Sequence, residues 1–103
     1  MVAGPRSVAK GILANRISYA FGFNGQSISI DAACASSLAA LQSAVGGLNA
    51  HNFDAMLTGG VDRGMGVEAF VKFSKIGALS ADGSRPYSDG ANGFGMGEGA
   101  GIF

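Results

Sequence analysis

The stretch ISIDAACASSLAALQSAVGG, residues 28–47, holds the only cysteine of the chain, Cys34, between a strand-like pattern and a helix-like pattern. Residues 27–31 alternate polar and apolar side chains and include β-branched isoleucines, which predicts a β-strand. Residues 35–49 are rich in alanine and leucine and apolar nearly all round, which predicts a buried helix. We therefore expect Cys34 at a strand-to-helix turn.

A cysteine at such a turn is placed to act as a nucleophile. The unpaired backbone N–H groups and the macrodipole at a helix N-terminus favour an anion, and the thiolate is the nucleophilic form of cysteine. The same N–H groups can donate hydrogen bonds to the oxyanion that forms when a thioester is attacked. Small neighbours leave room for a long substrate, as in the nucleophile elbow of hydrolases: Ala32, Ala33, Ala35, Ser36 and Ser37. The alternative is that Cys34 is a small apolar core residue, as most free cysteines are.

Composition narrows the class of protein. The 103 residues are 48% hydrophobic and 14% charged with zero net charge, which indicates a globular protein without an electrostatic footprint for nucleic acid. No apolar run reaches about 18 residues, so no membrane span is expected, and no secretory signal is visible. A single cysteine cannot form an internal disulfide, which fits a cytoplasmic protein.

The 18 glycines predict tight turns and close backbone packing, and the low charge predicts that the chain is a piece of a larger core. The last residues, GEGAGIF, stop where the pattern predicts the start of an apolar strand. We therefore expect residues 1–103 to be one partial domain, truncated at both ends.

The rest of the pattern predicts alternating helices and strands, hence an α/β layered fold. A first helix is expected over residues 7–21 with Ser7 as its N-cap, then a turn over FGFNGQ, in which Asn24-Gly25 is able to adopt positive φ. Gly46 and Gly47 suit a helix only if another backbone presses on them; otherwise the helix ends there.

Further along, a short strand is expected over residues 55–58. A helix within residues 67–80 should stop at Gly77, and a loop dense in turn residues should follow. Alternating glycines in GFGMGEGAGIF, residues 93–103, suggest nucleotide binding. That fingerprint needs a strand before it and a helix after it, so close backbone packing is the better interpretation. No metal site is expected, because Asp54 and Asp62 lack histidine or cysteine at ligand spacing.

The segment DAACASSLAAL, residues 31–41, resembles the active-site motif of β-ketoacyl synthases, usually written D-T-A-C-S-S-S-L. The resemblance continues through ANRISYAFGFNGQSISIDAAC before it, and through FDAMLTGGVD and FSKIGALSADGSRPYSDGANGFGMGEGAG after it. It implies a thiolase-like α/β fold with a mixed sheet layered with helices, of which this chain would be the N-terminal part. GGVDRGMGVEAFVKFSKIGALS resembles iterative, polyunsaturated-fatty-acid-type or glycolipid-type bacterial synthases.

The resemblance implies an acyltransferase of polyketide or fatty acid biosynthesis. Cys34 would take an acyl chain from the phosphopantetheine of an acyl carrier protein. A malonyl thioester on the carrier would then lose carbon dioxide, and the resulting carbanion would attack the acyl-enzyme. The implied partners are the carrier protein and a second copy in a homodimer, and no cofactor or metal is bound directly.

Two residues acquire roles from the resemblance. Cys34 matches the nucleophile, with its own N–H as an oxyanion donor. Phe94 matches an aromatic that lines the acyl channel, although it could equally be an ordinary core aromatic. Ala32 and Ala35 depart from the motif's threonine and serine, which alters the polarity of the pocket. Cysteine rather than glutamine at position 34 argues against a decarboxylating loading domain or a chain-length partner subunit.

The family also uses two histidines and a lysine downstream of the nucleophile. His51 matches neither histidine and is expected on the surface or at a helix end. The isolated chain is therefore predicted not to catalyse condensation. Two other functions stay open: a thiolase-fold acyltransferase that does not use carrier-bound malonyl units, and a non-catalytic dimerisation or chain-length scaffold.

Overall fold

The computed structural model describes residues 12–103, so the predicted N-cap Ser7 and the predicted start of the first helix lie outside the described residues. Two compact units are present: residues 12–60 with Ile102–Phe103, and Val61–Gly101. The elements in chain order are α1 (Leu13–Phe21), a 3-10 helix (Ala33–Ala35), α2 (Ser36–Asn49), β1 (Gly59–Asp62), α3 (Val67–Lys75) and β2 (Gly99–Ile102).

Helix α1 ends at a glycine in the left-handed conformation. Gly22 has φ 69°, and the Phe23 N–H donates to the Ser18 carbonyl at 2.9 Å, which pairs a carbonyl that the helix end would leave open. The rings of Phe21 and Phe23 stack with centroids 5.7 Å apart. The left-handed residue that reverses the chain is Gly22, and neither Asn24 nor Gly25 adopts positive φ.

The predicted strand over residues 27–31 is wrong for the described part of the chain. These residues have no regular secondary structure, and the sheet found there contains β1 and β2 alone. An alternating pattern forms a strand only when a neighbour pairs with its N–H and C=O groups. The segment is held to α1 instead, through a hydrogen bond from Ser18 Oγ to Ser27 Oγ of 3.0 Å.

Helix α2 confirms the predicted helix over residues 35–49 almost to the residue, and it continues through Gly46 and Gly47. A side chain, not the expected backbone, explains Gly47, because the Phe53 ring takes the place of a Cβ there. The prediction that α2 is buried fails within residues 12–103. Ala44 is the one buried apolar residue of that range, and Leu38 is 70% exposed.

The strand predicted over residues 55–58 lies further along, as β1. Thr58, just before it, exchanges backbone hydrogen bonds of 3.1 and 2.8 Å with Phe103. Such mutual bonds mark an antiparallel pair, so β1 and β2 form a two-stranded antiparallel sheet. The predicted mixed sheet is thus represented among the described residues by this pair and by one isolated parallel bridge, Leu79 to Phe94.

Helix α3 confirms the predicted glycine stop. Gly77 has φ 69° and donates to the Ser74 carbonyl, while the Ala78 N–H donates to the Phe73 carbonyl, both at 3.0 Å. This is the Schellman arrangement. On the exposed side of the helix, Lys72 pairs with Glu68 at 2.6 Å. Its hydrogen bond and charge lower the pKa of the Glu68 carboxyl.

Candidate active site

Cys34 lies at the centre of the 3-10 helix that leads directly into α2, and its thiol is exposed. Its backbone N–H belongs to the first turn of this helical segment, where N–H groups have no intrahelical carbonyl partner. One residue therefore offers both an accessible thiol and a backbone hydrogen-bond donor, which is the combination that nucleophilic attack on a thioester uses.

The residue before Cys34 has an unusual backbone conformation. Ala33 has φ 50°, in the left-handed region, which costs a residue with a Cβ about 1–2 kcal/mol. The Asp31 carboxylate accepts a hydrogen bond from the Ala33 N–H through Oδ1 at 3.1 Å. Such strain persists only where surrounding contacts hold it, and the Asp31 side chain supplies one of them.

Ser36 supplies the other side-chain contacts to this turn. Its hydroxyl accepts a hydrogen bond from the Ala32 N–H at 2.9 Å and donates one to the Ala33 carbonyl at 2.7 Å. The Ala35 N–H also donates to the Ala32 carbonyl at 3.0 Å. The Ala32 N–H and the Ala33 carbonyl, on either side of the strained Ala33 turn, are thus both bound by the first residue of α2.

Strand β1 approaches the start of α2 closely at Gly60. A Cβ built on Gly60 would lie 2.9 Å from the Ser37 Cβ, which is closer than two carbon atoms can approach. Glycine at position 60 is therefore required for the contact between β1 and the first turn of α2. This contact supports the helix end that presents Cys34.

The structure refines the predicted nucleophile elbow. The helix after Cys34 is present, but an irregular segment precedes it instead of a strand. Sequence reasoning treated Ser36 only as a small neighbour and Asp31 only as the end of a strand. An aspartate two residues before a tight turn and a serine in the first turn of a helix are residue types that hydrogen-bond to nearby backbone. That propensity was the signal available in the sequence.

Phe94, the second predicted site residue, has a fixed backbone in the other unit. Its N–H donates to the Ala78 carbonyl at 3.0 Å, and its carbonyl accepts from the Ser80 N–H at 2.9 Å. Its ring meets Phe73 of α3 edge to face, with centroids 5.2 Å apart, and the residue remains 38% exposed. Phe94 therefore packs on α3 and still has free ring surface.

The loop of residues 80–93, predicted from its turn residues, is closed by polar side chains beside Phe94. Ser80 Oγ and Asn92 Oδ1 are 2.6 Å apart, and Ser80 Oγ also accepts from the Asp82 N–H at 3.1 Å. Gly93, with φ 136°, lets the chain pass so close to residues 78–80 that a Cβ would lie 2.8 Å from their backbone. The loop thus returns to the point where Phe94 pairs with Leu79.

His51 lies at the end of α2, as the sequence predicts. It has φ 55°, its N–H donates to the Leu48 carbonyl, and the following Asn52 N–H donates to the Gly47 carbonyl, both at 3.0 Å. His51 therefore occupies the left-handed position of a Schellman ending.

Residues 12–103 contain no group of three or more His, Cys, Asp or Glu side chains that could hold a metal ion. None of the helices in that range combines the length and the apolar character needed to cross a bilayer.

Comparison with known proteins gives one family. The family model described as "Beta-ketoacyl synthase, N-terminal domain" matches residues 2–103. The chain is 43% identical over 95 residues to the pikromycin polyketide synthase component PikAIII of Streptomyces venezuelae, covering 91% of this chain and 6% of that protein. It is 43% identical over 100 residues to the spectinabilin polyketide synthase system protein NorA' of Streptomyces orinoci, covering 96% and 3%.

A mycobacterial relative gives a similar result. The mycoketide-CoA synthase of Mycobacterium tuberculosis is 42% identical over 97 residues, which cover 93% of this chain and 2% of that protein. The chain therefore spans 2–6% of the length of these three curated relatives.

Proposed function

The chain belongs to the β-ketoacyl synthase family, and we propose that it is part of the ketosynthase domain of a polyketide synthase, with Cys34 as the residue that accepts the acyl chain. Membership of the family implies a thiolase-like α/β fold. The observation that carries the proposal is the exposed Cys34 thiol in the 3-10 helix that opens α2. The polyketide synthases named above support the class of pathway.

The first step is acyl transfer. The Cys34 thiolate attacks the carbonyl carbon of an acyl thioester carried on the phosphopantetheine of an acyl carrier protein. A new S–C bond forms, the bond from that carbon to the carrier sulfur breaks, and the carrier thiolate leaves. The Cys34 N–H donates a hydrogen bond to the oxyanion of the tetrahedral intermediate. Covalent attachment divides carbon–carbon bond formation into two easier reactions.

The second step is condensation. A malonyl thioester on the carrier loses carbon dioxide, and the resulting enolate attacks the acyl carbon on Cys34. The C–C bond forms as the Cys34 thiolate leaves, and the product is a β-ketoacyl chain two carbons longer. His51 takes no part, since it closes the C-terminus of α2. The enolate-stabilising histidines and the lysine come from outside these 103 residues, so the chain alone does not condense.

Exposed apolar side chains support the proposal that residues 1–103 are part of a larger domain. Each of the three α-helices among the described residues has a large apolar side chain that is mostly exposed. The exposed fraction is 71% for Phe21, 70% for Leu38 and 80% for Val67. Apolar side chains exposed on this scale mark surfaces that other parts of a protein cover. We propose that the rest of the ketosynthase domain and a second copy in a homodimer bury this apolar surface. The synthase would be cytoplasmic, and an acyl carrier protein would deliver its substrates.

Phe94 lines the acyl channel in this proposal. Its ring packs edge to face with Phe73 and retains free surface, which is the condition for a side chain that both packs on the protein and contacts a substrate. The free surface is what supports a substrate contact over an ordinary core position.

The proposal is tested in the complete synthase that carries this chain. Cys34→Ser is compared with Ser37→Ala, a neighbouring change that leaves the thiol in place. We expect Cys34→Ser to lower malonyl-dependent product formation by at least about 1000-fold and Ser37→Ala to leave it within about twofold. Product formation by Cys34→Ser at the rate of the unaltered synthase would rule out the proposal. Chain extension without a malonyl thioester would instead indicate the thiolase-fold acyltransferase considered above.

A further inference from the structure

We propose that Ser36 is a positioning residue for Cys34, acting through its hydrogen bonds to the Ala32 N–H and to the Ala33 carbonyl just before the nucleophile. The Ser36 hydroxyl fixes the direction in which the turn presents the Cys34 thiol and N–H to a bound thioester. This inference rests on the proposed function, because it assigns Ser36 a part in the acyl transfer to Cys34.

The geometry gives the Ser36 hydroxyl both of its hydrogen-bonding roles at once. It accepts from the Ala32 N–H at 2.9 Å and donates to the Ala33 carbonyl at 2.7 Å. Both contacts lie within the normal range for strong hydrogen bonds. The carbonyl of Ala33 belongs to the peptide group that continues into Cys34, so the hydroxyl holds the main chain immediately before the nucleophile.

The turn needs this contact because its backbone is strained. Ala33 has φ 50°, and alanine neighbours on both sides of Cys34 have no polar side chain with which to hold it. Asp31 binds the Ala33 N–H, whereas the Ser36 hydroxyl binds the Ala33 carbonyl and the Ala32 N–H. Loss of the hydroxyl frees two of these groups, and the turn can then relax out of the left-handed conformation.

The next residue provides a matched control. Ser37 has the same side chain one position along the same helix, and its hydroxyl makes no hydrogen bond to residues 12–103. Its Cβ is the atom that faces Gly60, and alanine keeps that atom. Ser36→Ala and Ser37→Ala therefore remove the same hydroxyl group with a similar gain in helix propensity, and they differ in whether the turn loses hydrogen bonds.

The test measures acylation of Cys34 in the complete synthase. Unaltered protein, Ser36→Ala, Ser36→Thr and Ser37→Ala are mixed with an N-acetylcysteamine thioester of a short acyl chain. The first-order rate constant of acylation and the thioester concentration at half saturation are obtained from quenched samples by peptide mass spectrometry. Thermal unfolding of each protein is recorded beside them.

We expect Ser36→Ala to lower the rate constant by about 10- to 100-fold, because misplacement of a nucleophile by about 1 Å has effects of this size. The half-saturating concentration should change by less than about twofold, since the hydroxyl contacts no substrate. Ser36→Thr should restore most of the rate, because threonine retains the hydroxyl. Ser37→Ala should acylate like the unaltered protein.

Acylation of Ser36→Ala at the unaltered rate would overturn the inference, and so would an equal loss in Ser37→Ala. A loss that appears only in the half-saturating concentration, or only in proportion to unfolded protein, would also overturn it. The proposed function would fail on a different result. It would be contradicted if the synthase were still acylated after Cys34 itself is replaced.

Discussion

The ring of Phe53 occupies the space that a side chain at Gly47 would need. A Cβ built on Gly47 would lie 2.7 Å from Phe53 Cε2 and 2.8 Å from Cδ2. On the opposite edge of the ring, Cδ1 would lie 3.7 Å from a Cβ built on Gly25. Glycine at position 47 thus lets the loop after α2 fold back onto the helix. The neighbouring Gly46 has no atom within 4 Å of such a Cβ among the described residues.

This difference predicts opposite effects for the same substitution at adjacent positions. Gly47→Ala should destabilise the complete synthase domain by about 1–3 kcal/mol, the usual cost of overpacking. Gly46→Ala should stabilise it by up to about 1 kcal/mol, because alanine has the higher helix propensity. Denaturant unfolding measures both. Equal effects of the two substitutions would show that the Phe53 ring does not fill this position.

His51 gives a second prediction, in which the stability of the protein changes and its activity does not. Because His51 has φ 55°, His51→Gly removes the strain of a Cβ in the left-handed region and should raise the free energy of unfolding by about 1 kcal/mol. His51→Ala keeps the Cβ and should give no gain. Condensation rates of both variants should equal that of the unaltered synthase, and a loss beyond about tenfold in His51→Gly would place His51 in the catalytic machinery.

Gly93 gives a third prediction, about the backbone beside Phe94. A Cβ at this position would lie 2.8 Å from three backbone atoms of residues 78–80, and φ is 136°. Gly93→Ala should therefore cost about 3 kcal/mol or more, since backbone strain and overpacking act together. Gly97→Ala, where no atom lies within 4 Å, should change the free energy of unfolding by less than about 0.5 kcal/mol. A Gly93→Ala synthase with unchanged unfolding would contradict the close backbone approach.

Phe94 gives a fourth prediction, about acyl-chain selectivity. If its free ring surface contacts the acyl chain, Phe94→Ala should reduce kcat/KM for a long acyl thioester about 10-fold more than for a two-carbon thioester, because each buried methylene contributes about 0.8 kcal/mol. A core residue without substrate contact would lower both values equally. Steady-state acylation with the two thioesters separates these outcomes, and the short thioester controls for loss of folded protein.

The sequence predicted the helices well and the strands poorly, for a physical reason. Helix patterns are local: α2 is bounded within one residue of its prediction, and Gly77 ends α3 as expected. Strands depend on partners that are distant in sequence. Residues 27–31 have the alternation of a strand but no neighbour in the described chain, whereas Gly59–Asp62 has a weak strand pattern and pairs with Gly99–Ile102.

The position of the candidate nucleophile could be predicted from the sequence, whereas the contacts around it could not. Cys34 follows from its place before a helix and from the surrounding motif. The contacts of Ser36 with the Ala32 N–H and the Ala33 carbonyl depend on a left-handed φ at an alanine. Sequence patterns do not indicate that conformation, because alanine favours right-handed helix at almost every position. The same holds for Gly47, whose ring contact comes from the path of the loop that carries Phe53.

The most direct measurement is the site of acylation in the complete synthase. The protein is incubated with its acyl thioester without a malonyl unit, so that condensation cannot remove the acyl group, and is then digested and analysed by mass spectrometry. We expect a single acyl group on the peptide that contains Cys34, sensitive to hydroxylamine as a thioester should be. An unmodified Cys34 peptide beside a stable acyl group on another residue would contradict the account.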